Sequence, residues 1–172
     1  MPWPNITLTV YHGTDSLSGN NIRMNGILAQ YFNPSSDFGA GFYVTTSLHQ
    51  AKNWANERVR TIGGFGVNAE VLQYDLSRSA IETLEHLVFV TDTQDFHDLC
   101  AFCRGGGGVS HGRTAPYDAI YGPVSLSPQT LVIANCDQIC FPNPANIVDA
   151  NGNSVFRLPA GTMSSTPNTY FV

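Results

Sequence analysis

The stretch Tyr11-His12-Gly13-Thr14, followed further along by Asp37-Phe38-Gly39-Ala40-Gly41-Phe42-Tyr43-Val44-Thr45-Thr46-Ser47, decides how this chain reads. Before His12, the apolar Ile6, Leu8 and Val10 alternate with Thr7, Thr9 and Tyr11, the period-two pattern of a half-buried strand. His12 continues the apolar face and is expected to point inward where the strand runs out into Gly13-Thr14-Asp15. In the second strand Phe42 and Val44 share one face, which leaves Gly41, Tyr43 and Thr45 on the other. Tyr43 is therefore expected to turn away from the core and line a cleft. A glycine beside each of these side chains would let a ligand approach the backbone. An imidazole and a phenol at two strand ends suit a pocket that grips a flat polar ring.

Working outward, Ser18 to Gly26 reads as a short helix or turn closed by Gly26. Residues 47–62 form the best helix, with Ser47 as N-cap, Ala51, Trp54, Ala55, Val59 and Ile62 on one face, and Gly63-Gly64 as its end. A second helix is expected over 93–103 with Phe96, Leu99, Cys100 and Cys103 inward. Strands are expected at 69–76, 86–90, 117–121, 130–134 and 137–141. Asn151-Gly152 marks a hairpin turn between Asn146-Ile147-Val148 and Val155-Phe156-Arg157-Leu158. Beyond Pro159 the Ser-, Thr- and Pro-rich end is expected to be loose. The pattern indicates an α+β domain over 1–158, with two main helices and two antiparallel sheets around a cleft, followed by a tail over 159–172.

With 42% apolar and 12% charged residues among 172, the chain is long and apolar enough to bury one proper core. Its net charge of −5 and eight Lys plus Arg argue against a nucleic-acid backbone as a main partner. No apolar run reaches the length of a membrane span, and Met1-Pro2-Trp3-Pro4-Asn5 lacks a charged and hydrophobic leader. A soluble, cytoplasmic protein is expected.

The order strand-His12-Gly13-Thr14, then Gly39-Ala40-Gly41-Phe42-Tyr43-Val44-Thr45-Thr46, then Gln50-Ala51-Lys52-Asn53-Trp54-Ala55 resembles the first two signature elements of ADP-ribosyltransferases of the diphtheria-toxin and poly(ADP-ribose) polymerase type. The likeness is greatest to small domains of that superfamily that also carry an Asp92-to-Arg104-like helix and a Tyr117-Asp118-Ala119-Ile120-Tyr121-Gly122-Pro123-Val124 strand, and it covers roughly residues 6–148. It implies a split pair of sheets around an NAD cleft. It further implies that NAD is the co-substrate, with His12 on a ribose hydroxyl and the Gly13 N–H and C=O on the nicotinamide carboxamide. Tyr43 would stack on the nicotinamide ring and Trp54 would form the opposite wall, with Thr14, Thr45 and Ser47 completing the binding set. A carboxamide presents an acceptor and donors together, so the N–H and C=O of one residue satisfy it.

The third signature position departs from the family, which usually places a Glu there to hold the ribose 2′-hydroxyl as nicotinamide leaves. The matching strand is Asp137-Gln138-Ile139-Cys140-Phe141. With Ile139 and Phe141 facing the core, Gln138 points to the cleft with Cys140 and is the candidate catalytic residue beside His12 and Tyr43. An amide lacks the charge that strengthens such a bond, so Gln138→Glu is expected to raise turnover. A slip of one residue would bring in Asp137 instead, and Asp118 is a further acidic candidate.

The expected activity is therefore cleavage of the nicotinamide-ribose bond, with transfer of ADP-ribose to a protein, a small molecule or water. Its competitors are a catalytically weak or inactive NAD-binding domain and an RNA 2′-phosphotransferase-like enzyme, the latter disfavoured by few, scattered basic residues. Cys100, Cys103, Cys136 and Cys140 read as buried thiols rather than as a zinc site. Gly105-Gly106-Gly107-Gly108 fails the pattern of a phosphate-binding loop and reads as a mobile loop, with Arg104 or Arg113 near a phosphate. His49, His86, His97 and His111 show no metal-ligand spacing.

Overall fold

Alternation of Leu8 and Val10 with threonines builds β1 (Thr7–Asp15), which does not run out at His12 but continues through Gly13 and Thr14 to a buried Asp15. The computed structural model describes residues 7–107, 110–165 and 169–172. The leader positions Met1 to Asn5, the strand start Ile6, Gly108 and residues 166–168 of the tail lie outside them. The chain divides into two units. One draws on the chain up to Ile27, on Val44–Glu82 and on Ala145–Val172; the other draws on Leu28–Tyr43 and Thr83–Pro144. Helices and strands are mixed in an α+β fold with two sheets.

In the first unit, α1 (Ser16–Asn25) follows β1 directly, because the Asp15 carboxylate accepts the Ser18 N–H at 2.8 Å and caps the helix. It is a full helix where a short helix or turn was expected, and it closes at Gly26 with φ 78°. The short β2 (Phe42–Val44) begins the other sheet. Within the first unit, α2 (Leu48–Ile62) starts at the Ser47 cap and stops at left-handed Gly63, as its sequence predicts. Its small residues Ala51 and Ala55, with Val59, pack on Val67, Ala69 and Val71, and Tyr11 joins them. Strand β3 (Ala69–Ser77) is central, antiparallel to β1 with Gly13 opposite Val71 and His12 opposite Leu72. One helical turn, α3 (Arg78–Ile81), ends this stretch. The opposite face of the sheet buries Val10, Leu72, Tyr74 and Leu76, and Phe156 meets Tyr74 edge-on at 5.3 Å.

The second unit carries β4 (His86–Val88), α4 (Gln94–Phe102), β5 (Ala119–Ser125) and β6 (Val132–Phe141). The sheet order is β2-β6-β5-β4, and β4 runs parallel to β5, so this sheet is mixed rather than antiparallel as expected. β5 extends past the expected stop at Tyr121. Gly122 and Pro123 stay in the strand because β4 ends opposite Tyr121, so the N–H that proline lacks is not needed there. The two strands expected at 130–134 and 137–141 are one, since Asn135 takes φ 57° inside the strand instead of ending it. Around Phe38 and Phe96 gather Cys100, Ile120 and Cys140 as the core of this unit.

The end of the chain corrects the expectation of a loose tail. Gly161–Ser164 forms β7 on the free side of β3, with Val71 opposite Met163. Further on, the Asn56 amide of α2 grips the backbone of Phe171 on both sides, donating to its carbonyl at 2.9 Å and accepting its N–H at 2.6 Å. The expected hairpin around Asn151-Gly152 shrinks to one bridge, Val148 with Ser154. There the Asp149 carboxylate takes the N–H groups of Asn151 and Asn153 and tightens the turn before strands can extend. Among the described residues no helix is long and apolar enough to cross a membrane.

Candidate functional site

Gly13 does more for the first unit than admit a ligand. A Cβ built on it would lie 2.1 Å from the Ala51 carbonyl oxygen and 3.0 Å from the Ala55 nitrogen, so its bare Cα is the surface on which α2 rests. Its polar groups point elsewhere. Tyr11 donates its N–H to the Thr45 carbonyl at 2.8 Å and accepts the Thr45 N–H at 2.9 Å, on the side of β1 away from β3. In an extended strand the N–H and C=O of one residue point the same way, and residues two apart repeat that direction. The Gly13 N–H and C=O therefore project from the edge of β1 away from β3, beyond the Tyr11–Thr45 bridge, and no described strand pairs with them there.

The partner segment of that bridge is itself fixed. The buried Thr45 hydroxyl donates to Gln50 Oε1 at 3.0 Å and accepts the Ser47 N–H at 3.0 Å, while Ser47 Oγ accepts the Gln50 N–H at 3.2 Å. Thr45 and Ser47 thus set the start of α2 against β1. Thr14 is buried, and His12 and Trp54 are half-buried. Sequence reading had no signal for the Thr45–Gln50 brace, which joins side chains across a helix cap.

Tyr43 belongs to the second unit, and it is not turned away from packed side chains as expected. Gly41 lets β2 settle on β6, since a Cβ there would meet Cys140 Sγ at 2.4 Å, and the Tyr43 ring joins the Phe38–Phe96 cluster. Its hydroxyl accepts the Phe38 N–H at 2.9 Å and donates to the Gly39 carbonyl at 2.7 Å. Burial, with Cys140 and Asp37 near, pushes the phenol well above its ordinary value, so the hydroxyl keeps its proton.

Gln138 stands on the face of β6 opposite to that expected. Its amide nitrogen donates to Asp37 Oδ2 at 2.7 Å and to the Pro123 carbonyl at 2.9 Å, and the side chain is buried. Cys140 shares that face and lies in the core, while Ile139 faces the other way with Asp137. The reading of Gln138 as a cleft amide is corrected: its donors are committed to a buried carboxylate. Asp37 also accepts the Ser125 N–H at 2.8 Å, the Ser125 hydroxyl, and the Arg104 guanidinium through Nε and Nη2 at 2.7 Å. Asp37 was visible in the sequence as part of a motif but had no role there. Asp137 is half-buried, with the Tyr121 hydroxyl 3.5 Å from its carboxylate. Asp118 caps Glu85, accepting its N–H at 2.9 Å. Arg113 pairs with Glu85 and lies over the Tyr117 ring at 4.0 Å, and Arg104 is held by Asp37.

All four cysteines are free thiols, and Cys100, Cys103 and Cys140 are buried. Burial pushes the thiols of Cys100 and Cys140 up to about 12 and that of Cys103 to about 11. In the folded protein at pH 8, a disulfide reagent is expected to titrate Cys136 alone within minutes and the other three only after denaturant is added. Rapid reaction of more than one thiol would contradict this placement.

No curated protein matches the chain. A family model described as "Protein of unknown function (DUF3990)" matches residues 8–136, from β1 into β6, taking in His12, Gly13, Asp37, Tyr43, Trp54 and Arg104, and the chain belongs to that family.

Proposed function

We propose that the chain is an NAD-dependent ADP-ribosyltransferase that cleaves the nicotinamide-ribose bond and passes ADP-ribose to a protein, a small molecule or water. The observation that carries this reading is the pair of Gly13 main-chain groups projecting from the edge of β1 away from β3, next to the Tyr11–Thr45 bridge. A primary carboxamide pairs with such a residue as an added strand would, giving a donor and taking one. His12, the neighbour of Gly13, then takes a ribose hydroxyl. Tyr43, with its hydroxyl hooked to Gly39, is suited to stacking on the nicotinamide. With Gln138 tied to Asp37, the carboxylate that steadies the ribose as positive charge develops is Asp137 on this reading, and not an amide.

The test is nicotinamide release from NAD, measured with the protein alone and with cell lysate, beside calorimetric titration of NAD. His12→Ala and Asp137→Asn are each expected to slow release about 10²-fold. NAD binding with no release by the parent protein would favour an inactive binding domain. Absence of binding would overturn the proposal.

A further inference from the structure

His111 was set aside in the sequence for want of a metal-ligand partner, yet its ring is buried and its backbone is held at φ 55°, a conformation that L side chains adopt rarely. Both ring nitrogens are used, and their partners settle the tautomer. Nε2 lies 2.9 Å from the Phe38 carbonyl, which can only accept, so Nε2 carries the proton. Nδ1 lies 3.2 Å from the Tyr117 N–H, which can only donate, so Nδ1 is bare. The ring stacks on Tyr117 at 5.9 Å, and the Arg113 guanidinium covers that tyrosine. The neutral imidazole thus clasps the segment from Ser110 to Tyr117 to Phe38. Phe38 is the residue whose N–H holds the Tyr43 hydroxyl, so its carbonyl serves His111 while its N–H serves Tyr43.

We propose that His111 is a proton-released latch: a second proton on its ring undoes its bond to the Tyr117 N–H and loosens the Ser110–Tyr117 segment. A proton on Nδ1 faces the Tyr117 N–H, donor against donor, and breaks that bond. The charged groups around the ring do not favour the cation. Arg113 repels it, with Glu85 already paired to that arginine, and on the Phe38 side Asp37 is neutralised by Arg104. Burial above all holds the imidazole below its ordinary value of 6.5, against the opposing Phe38 bond, with Arg113 adding a smaller push in the same direction as burial. The sign follows from that depression. Above 6.5 the latch is closed at no cost, and as pH falls below 6.5 the opened form binds a proton that the closed form refuses. Opening is favoured by up to about tenfold per pH unit until the closed form titrates.

The latch does not depend on NAD, and its test needs no activity. Limited trypsin cleavage after Arg113 is measured from pH 8 to pH 5, with trypsin's own pH dependence corrected on an unstructured peptide. Imidazole nitrogen shifts report the tautomer of His111 in the same range. The expected result is a neutral ring protonated on Nε2 at pH 7.5, and cleavage accelerating by up to about tenfold per unit below pH 6.5. His111→Gln keeps a donor for the Phe38 carbonyl but cannot titrate, so its cleavage rate should stay flat with pH. A ring protonated on Nδ1 at pH 7.5, or an acid response that persists in the Gln variant, would overturn the proposal. Should that variant be cleaved fast at every pH, the parent's nitrogen shifts and cleavage profile decide alone: a tautomer or midpoint at odds with the latch refutes it.

Discussion

Gln138→Glu is expected to destabilise the protein by about 3–5 kcal/mol, the cost of an uncompensated buried charge, and not to raise turnover. The substituted carboxylate has no N–H for the Pro123 carbonyl and meets Asp37 where the amide now donates at 2.7 Å. Arg104 already holds Asp37 and cannot serve a second carboxylate as well. The new group avoids the clash by keeping its proton, so its folded value rises above the ordinary Glu value of about 4.3. A raised acid loses stability as pH increases from the unfolded value, so the deficit relative to the parent should widen from pH 4 to pH 7. Urea unfolding midpoints at the two pH values check both statements. A variant as stable as the parent at pH 7 would mean that Gln138 is not committed to Asp37.

Gly13→Ala is expected to cost about 3 kcal/mol, at the upper end of overpacking losses, because the atom its Cβ meets is a helix carbonyl and not a flexible side chain. For a chain of this size that corresponds to a fall in melting temperature of roughly 6–12 °C. Either α2 must shift off β1 or the strand must bend. Gly105→Ala is the control, since nothing lies within 4 Å of a Cβ built there, and it should stay within about 0.5 kcal/mol of the parent. Calorimetric melting of the two variants side by side separates local crowding from a general intolerance of lost glycines. The comparison also distinguishes a glycine that seats a helix from one that only bares its backbone to a ligand.

These two positions show what the residues could disclose. Helices α2 and α4 were legible because their signals are local: Ser47 and Thr93 cap them and Gly63 closes α2, whereas the single turn of α3 was not expected. The strand period at β1 was legible for the same reason. The face of β6 was not, because Gln138, Ile139, Cys140 and Phe141 are all buried. Alternation names the inward face only where the other face is wet. Apolarity pointed to Ile139 and Phe141, but Cys140 decided which side met Phe38 and Phe96. Gly13 and Gly41 were noticed, yet what fills the space beside them is backbone and thiol from distant stretches of chain. His111 left no trace in spacing, since its partners are main-chain groups that every sequence supplies.

The gathering of the first unit from three stretches, closed by Asn56 on Phe171, bears on how the protein comes to be made. A ribosome delivering the chain from its amino end completes Leu28–Tyr43 and Thr83–Pro144 while the other unit still lacks β7 and the strap that covers α2. At about 5–20 residues per second, a second or more passes with the side of β3 that β7 will pair still unfilled. Nascent chains stalled before Gly161 should therefore recruit holding chaperones through Met163's empty place on Val71, whereas chains extended beyond Phe171 should not.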